Sequence, residues 1–264
     1  MPFRVVTINI LSDLSLWEER RGLLVRDLVQ SDPQLIALQE VNLQQNTAIW
    51  LAGELGMEYI HLTRKTGKEA EKEGIAILSR IPFQKTAALD LLTQNRVAQS
   101  VQVELNGQKL VLANGHFYWQ PGPSPARLEQ VKRLVQWLLS TAGDLPLVVC
   151  GDFNSTPESE PVRFMKARFT SAYEARHGRE PRYTAPTPLP RSKRKMLRTL
   201  WNFRRDIQLR GLRSYFRTTL DYIFVNEKLN VLDSRLLFDQ PAPGSRKIFA
   251  SDHFGIEAEL AFNT

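Results

Sequence analysis

Gly151-Asp152-Phe153-Asn154-Ser155-Thr156-Pro157 follows directly on an apolar run over residues 145–150. So short a run, closed by glycine and then by Asn, Ser, Thr and Pro, reads as a buried strand that delivers the chain into a loop. Loops at strand ends are held by a rigid scaffold, and sheet proteins carry reactive groups there. Asp152 and Asn154 are two residues apart, so in extended chain their side chains point the same way. A carboxylate and an amide in that relation can hold an attacking water and a phosphate oxygen. The same pair also suits a plain Asx turn after a strand.

Other chemistry-bearing residues stand in similar places. His116 comes just past the apolar run 110–113 and leads into Phe117-Tyr118-Trp119, while Asp252-His253 precedes a late apolar stretch. Histidine is the side chain best suited to proton transfer near neutral pH. Glu40 follows a run over residues 35–39, and Asn9 lies in the first apolar segment. Both offer hard oxygen ligands, and magnesium needs only one or two protein carboxylates beside its waters. Taken singly, each of these residues has an ordinary structural reading. The sequence holds no Cys/His cluster of the structural-zinc kind and no glycine-rich nucleotide-phosphate loop. His61 and His177 have no comparable setting and are assigned no role.

The pattern along the chain predicts strands over residues 3–10, 35–38, 74–78, 98–105, 109–113, 145–150, 220–225 and 254–261. Asn106-Gly107 between two of them is a two-residue hairpin signal, since both positions favour positive φ. Helical spacing appears over residues 16–29, 46–55 and 127–139. No repeat or composition shift marks a boundary, so a single domain over residues 1–264 is expected, with an insertion at residues 184–217. The insertion opens with Pro186, Pro188 and Pro190, and then places Met196, Leu200, Phe203 and Ile207 on one helix face.

Charge singles out the same segment. Between Arg179 and Arg217 twelve Lys or Arg stand against Glu180 and Asp206, so this stretch carries +10 of a chain whose net charge is +7. A concentrated positive field attracts polyanions such as nucleic acid or anionic lipid. The lone cysteine, Cys150, excludes an intrachain disulfide and reads as a small core residue. The N-terminus shows no secretory pattern and no stretch approaches the ~18 apolar residues of a bilayer span. A cytoplasmic monomer is the expectation.

In order, the signals read Thr-Ile-Asn-Ile (7–10), Leu-Gln-Glu-Val (38–41), Glu-Gly-Ile-Ala-Ile-Leu-Ser (73–79), Asn-Gly-His-Phe (114–117), Gly-Asp-Phe-Asn-Ser-Thr-Pro (151–157), Leu-Asp-Tyr-Ile-Phe (220–224) and Ser-Asp-His-Phe-Gly (251–255). This series resembles the endonuclease/exonuclease/phosphatase superfamily with its DNase I-like fold. The resemblance implies a four-layered α/β sandwich of two packed mixed β-sheets flanked by helices, and hydrolysis of phosphoesters with a divalent ion, Mg2+ or alternatively Mn2+. It casts Glu40 as main metal ligand with Asn9 and Asp252 beside it. Asp152 and Asn154 would position the water, and His253, held by Asp221, would contact the phosphate. His116 would be a second histidine there, with Glu73 orienting it. His116 also argues against the abasic-site endonuclease branch, which usually lacks a histidine at this motif. Gly115 departs from the commoner Asn-Thr-His pattern, a change expected to affect backbone freedom more than chemistry.

For substrate, the basic segment is the main clue. Arg191, Lys193, Arg194, Lys195, Arg198, Arg204 and Arg205 could track a phosphate backbone while Trp201, Phe203, Tyr215 or Phe216 stack on bases. The same residues could lie on an anionic membrane, or pack on the domain with their charges solvated. Arg96, Tyr118 and Trp119 are further substrate-contact candidates. The reading is therefore a metal-dependent phosphodiesterase acting on nucleic acid. The alternatives are a lipid or small-molecule phosphoesterase of the sphingomyelinase or inositol-phosphatase kind, or a binding module that has kept the fold.

Overall fold

The structure is a computed structural model that describes residues 1–120, 122–190 and 217–263. The chain lays down β1 (Phe3–Asn9), β2 (Leu35–Asn42), β3 (Tyr59–Arg64) and β4 (Glu73–Ser79) in one sheet. A second sheet takes β5 (Lys85–Asp90), β6 (Val97–Leu105), β7 (Gln108–His116), β8 (Leu147–Asp152), β9 (Thr170–Ser171) and β10 (Asp221–Val225), after which β11 (Leu229–Leu237) and β12 (Gly255–Phe262) return to the first. The orders are β11-β12-β1-β2-β4-β3 and β5-β6-β7-β8-β10-β9.

Each sheet has one parallel pair near its centre, β1 with β2 and β7 with β8, among antiparallel neighbours. Parallel strands need a crossover, usually a helix. Here α1 (Trp17–Ser31) makes the first, followed by α2 (Thr47–Leu55) on the same outer face, and α3 (Pro125–Ala142) makes the second. Two short helices follow, α4 (Glu160–Lys166) and α5 (Ala172–His177). In α3 the Ser124 hydroxyl accepts from the Arg127 amide and Pro125 occupies the first turn, a favoured way to start a helix.

Three apolar layers hold the sandwich. Val5, Leu35, Ala37 and Ile77 of the first sheet meet Val103, Leu112, Val148, Cys150 and Ile223 of the second. Val6, Ile8, Ile36 and Leu38 point outward onto α1 and α2, and Val149, Tyr222 and Phe224 onto α3 and α4. Strands buried on both faces read as continuous apolar runs rather than alternation, which is why the central strands are plain in the sequence. The inter-sheet layer turns polar at one end, where Gln39 Nε2 donates to Thr7 Oγ1 (3.0 Å) and Asn114 Oδ1 (2.8 Å), and Asn114 Nδ2 to the carbonyls of Leu38 and Ala76.

Every strand and helix expected within the described residues is present, its ends shifted by a few residues. Four strands were missed: β3, β5, β9 and β11. They are the two edges of each sheet. Edge strands keep one side open and carry mixed polar sequence, as in the mostly exposed Lys85–Asp90. The Asn106-Gly107 turn joins β6 and β7 with φ of 54° and 77° as expected. The basic helix face of Met196, Leu200, Phe203 and Ile207, together with Trp201, Tyr215 and Phe216, lies outside the described residues.

Candidate active site

Both parallel pairs run their C-terminal ends to the same edge of the sandwich. β1 ends on Asn9, β7 on His116 and β8 on Asp152, and β2 carries Glu40 near its end. Antiparallel neighbours begin there, β4 with Glu73 and β10 with Asp221, and Asp252-His253 immediately precedes β12. Register puts His116 and Asp221 on either side of Asp152, one residue on each of three adjacent strands.

Backbone irregularities aim these groups. The β2–β4 register slips between Leu38 and Val41, and Glu40 within that bulge has φ of 54°. Bulges re-aim side chains in this way beside functional sites. Asn154 is also left-handed, at φ 48°. Gly151 has φ of 135°, and an added Cβ would lie 2.0 Å from the Gly115 carbonyl oxygen. Gly115 itself is not in the left-handed region: what it supplies is room, since a Cβ there would come within 2.8 Å of the Phe117 ring. That ring stacks on Phe153 with centroids 4.6 Å apart. The Asn-Gly-His departure thus serves packing, not the backbone freedom expected from sequence.

Asp152 is the hub. Its Oδ1 accepts from the Asn154 amide (2.9 Å), and its Oδ2 accepts from Asn9 Nδ2 (3.1 Å). The same Oδ2 faces His116 Nε2 at 3.4 Å and His253 Nε2 at 4.0 Å. His253 Nδ1 meets Asp221 Oδ2 at 2.9 Å, and Thr184 Oγ1 donates to that same oxygen at 2.5 Å. The Asn154 side chain donates to the Phe117 carbonyl (3.2 Å), tying the loop after β8 to the loop after β7.

Glu40 lies across Asn9 from this cluster. Asn9 Nδ2 approaches Glu40 Oε1 at 3.3 Å, and the Ser12 amide donates to Glu40 Oε2 at 3.1 Å. Ser12 Oγ is 3.3 Å from both Glu40 Oε2 and Glu73 Oε2. One hydroxyl has one proton, so it satisfies one carboxylate at a time. Lys65 pairs with Glu73, and Arg96 Nη1 lies 3.9 Å from Glu73 Oε1.

The electrostatics separate these groups. Burial works against the His253 charge, yet Asp221, Asp152 and Asp252 overcome it and push the imidazole up to about 10. Burial, then Arg96 and Lys65, hold His116 well below the ordinary histidine value. Burial and Asp221 push Asp152 up to about 7 against the pull of His253. Glu40, despite burial, is held low by Lys65 and the Ser12 amide, whereas burial and the Glu40 charge raise Glu73.

Two of the placements differ from the sequence reading. Asn9, expected as a metal ligand, uses its Oδ1 to accept the Leu11 amide and presents its nitrogen between two carboxylates, as a bridging donor. Glu73, expected to orient His116, is not on the ring nitrogen: Arg96 Nη1 is, at 2.8 Å from Nδ1. Arg96 is therefore buried inside the cluster, whereas Trp119 stands 38% exposed on the neighbouring loop. Tyr118 is half-buried, and its amide and carbonyl are held by Gln130 and Arg127 of α3.

Several participants escaped the sequence reading. Ser251 Oγ donates to the Asn9 carbonyl, Thr187 Oγ1 to the Ser251 carbonyl, and the Thr187 amide to that of Asp252. Thr184 and Thr187 belong to the opening of the segment read as an insertion. The proline spacing of residues 186–190 marked the start of that segment but gave no sign that these threonines reach the site. Arg20, fully buried in α1, donates to the carbonyls of Ile10, Asp13, Ser15 and Ala250 and so fastens the Ser12 loop to the Asp252 loop.

Glu40, Glu73 and His116 can each offer a ligand atom within 4.8 Å of the others, as can Asp152, Asp221 and His253. In the second group Asp221 Oδ2 is already engaged by His253 Nδ1 and Thr184 Oγ1. The first sets two carboxylates side by side over one shared hydroxyl, and burial together with the Glu40 charge raises Glu73, so part of that rise is their repulsion. Oxygen donors so placed fit a hard divalent cation, whose charge would relieve that repulsion.

Comparison with known proteins places this geometry in context. The model for the Endonuclease/Exonuclease/phosphatase family matches residues 6–253. Protein angel of Drosophila melanogaster is 28% identical over 198 residues, covering 62% of this chain and 55% of its own length. Human Nocturnin is 25% identical over 274 residues, covering 93% of this chain and 58% of its own. The chain thus spans a little over half the length of these two curated relatives. The solved human Nocturnin catalytic domain, with a bound sulfate anion, superposes with a TM-score of 0.77 over 99% of this chain and 95% of that one. TDP2 from D. rerio, solved with a single-strand DNA product, gives 0.76 at 19% identity over 100% and 99%.

Proposed function

The chain belongs to the endonuclease/exonuclease/phosphatase family, and from that premise we propose that it is a divalent-metal-dependent phosphodiesterase that cleaves nucleic acid by in-line attack of water. The observation that carries the proposal is the convergence on Asp152 Oδ2 of Asn9 Nδ2 at 3.1 Å, His116 Nε2 at 3.4 Å and His253 Nε2 at 4.0 Å. An acceptor ringed by donors at that spacing is a place for a water and a phosphoryl oxygen. Asp152, raised to about 7, takes the water's proton near neutral pH. The Asn154 amide holds the far oxygen of that carboxylate, and so fixes the direction from which the water attacks. His253, cationic against Asp221, stabilises negative charge as it gathers on the phosphoryl oxygens. His116 completes the ring from the opposite strand.

Glu40 is the principal ligand for the ion in this reading, with Asp252 beside it and Glu73 within reach, while Asn9 links the ion's carboxylate to Asp152. Mg2+, or Mn2+ in its place, supplies charge neutralisation at the phosphoryl group when bound. Nucleic acid as substrate is supported by the concentrated positive charge of residues 179–217 and by the single-strand DNA product held by a protein of this fold. A sugar phosphatase shares the fold as well, the Bacteroides thetaiotaomicron mannosyl-6-phosphatase at a TM-score of 0.76. The deciding experiment is a substrate panel of plasmid DNA, single-stranded oligonucleotides, RNA, sphingomyelin, inositol phosphates and a sugar phosphate, with magnesium, manganese or chelator. We expect chelator-sensitive cleavage of nucleic acid, lost in Glu40→Ala and in His253→Ala. Turnover of a lipid or sugar phosphate alone would overturn the substrate, and unchanged turnover in either variant the site.

A further inference from the structure

His116 and His253 present their Nε2 atoms to the same carboxylate oxygen, but the groups behind them are opposite in kind. Behind His253 Nδ1 stands Asp221, a carboxylate that only accepts when ionised. Behind His116 Nδ1 stands Arg96 Nη1, at 2.8 Å. A guanidinium has donors and no acceptor and keeps its charge throughout the working range. For that contact to be a hydrogen bond, His116 Nδ1 must offer its lone pair. A proton on Nδ1 would set two N–H groups head to head at 2.8 Å and place a second positive charge against the first. Arg96 is not free to swing away, being only 5% exposed. Its backbone is pinned as well, the amide donating to the Thr93 carbonyl and the carbonyl accepting from Leu91. Glu73 Oε1, 3.9 Å from the same Nη1, balances the guanidinium charge.

We infer that Arg96 is a positioning residue that locks His116 in the tautomer with its single proton on Nε2, so that His116 meets the substrate phosphoryl group as an uncharged N–H donor. This rests on the phosphodiesterase reading and assigns the two histidines different work within it. His253 is the charged partner of the phosphate. His116 orients and polarises a phosphoryl oxygen and keeps its proton, because losing it from Nε2 would leave an anionic ring and gaining one on Nδ1 would break the Arg96 bond. Burial favours the same uncharged ring. The partner of an imidazole's other nitrogen is what generally sets its tautomer and ring orientation.

The test reads the ring directly. In the full chain labelled with 15N-histidine and loaded with magnesium, His116 is assigned by the signal missing from His116→Gln. We expect its spectrum to show a protonated Nε2 and a bare Nδ1. In Arg96→Met the tautomer should become mixed, and kcat should fall by about 10- to 100-fold, the range met when the partner orienting a metal-bound histidine is removed, with KM changed far less. Arg96→Lys, which keeps a donor and the charge, should restore part of both. A wild-type ring protonated on Nδ1 overturns the inference at once. An Arg96→Met variant that keeps the Nε2–H tautomer overturns it too, as does one that loses KM alone, which would make Arg96 a direct substrate contact. The imidazole measurement needs no turnover. A chain that shows the expected tautomer yet hydrolyses no phosphodiester therefore sinks the proposed function and leaves the positioning intact.

Discussion

A methyl group added at Gly151 would sit 2.0 Å from the Gly115 carbonyl oxygen, at a backbone φ of 135°. Cβ contacts under 3.0 Å are essentially not met, so β7 and β8 would have to part by about 1 Å where they pair Gly115 with Gly151. Two costs combine in Gly151→Ala. A side chain forced into that φ region costs roughly 1–3 kcal/mol, and overpacking against backbone that cannot yield costs roughly 1–3 kcal/mol more, so we expect a loss of about 4 kcal/mol. The next register pair is His116 with Asp152, and misplacing reacting groups by ~1 Å can cost about 100-fold in rate. Gly107→Ala is the internal control: φ there is 77°, but nothing lies within 4 Å of the added Cβ. It should lose about 1 kcal/mol and keep its activity. Urea unfolding, read as a shift in midpoint at constant slope, and initial rates at saturating substrate measure both quantities. A Gly151→Ala protein no less stable than Gly107→Ala and turning over at the wild-type rate would refute the steric account of the motif.

The His253–Asp221 pair should also be visible in stability against pH. The folded value of about 10 lies above the ordinary 6.5, so the pair's contribution is fully present below about pH 6.5 and is lost as pH rises through about 10. With chelator present, Asp221→Asn should flatten that decline, and a variant curve parallel to wild type between those limits would remove Asp221 as its cause. Cys150, fully buried with its thiol pushed up by burial to about 12, should ignore a thiol-specific reagent at pH 8 in the folded protein and react fully in guanidinium. Rapid labelling of the native chain would contradict its burial.

The central strands were legible because burial on both faces leaves long unbroken apolar runs, as in residues 147–150, buried at every position and closed by glycine. The edge strands were not, since Leu229–Leu237 buries three of nine residues and its pattern is broken by a register shift between Val231 and Asp233. The site residues were legible as strand-end groups in a fixed order, but their pairings were not. That Arg96 rather than Glu73 backs His116 depends on how its own turn pins the Arg96 backbone and on the burial of its side chain, and nothing local in the sequence reports it. Likewise the bulge that carries Glu40 is a two-strand property, visible only once β2 meets β4.

The threading of the two sheets sets an order of assembly. The second sheet is built wholly from residues 85–225, whereas the first is left open after β4 and is closed only when β12 slides between β1 and β11. That closure pairs Phe3 with Leu260, nearly the full span of the described chain, and the loop immediately ahead of β12 carries Asp252 and His253. Contacts so distant in sequence form late and slowly. A chain emerging from the ribosome therefore holds Glu40, His116 and Asp152 long before it receives the imidazole that joins them, and the proposed activity would appear only once β12 has been inserted.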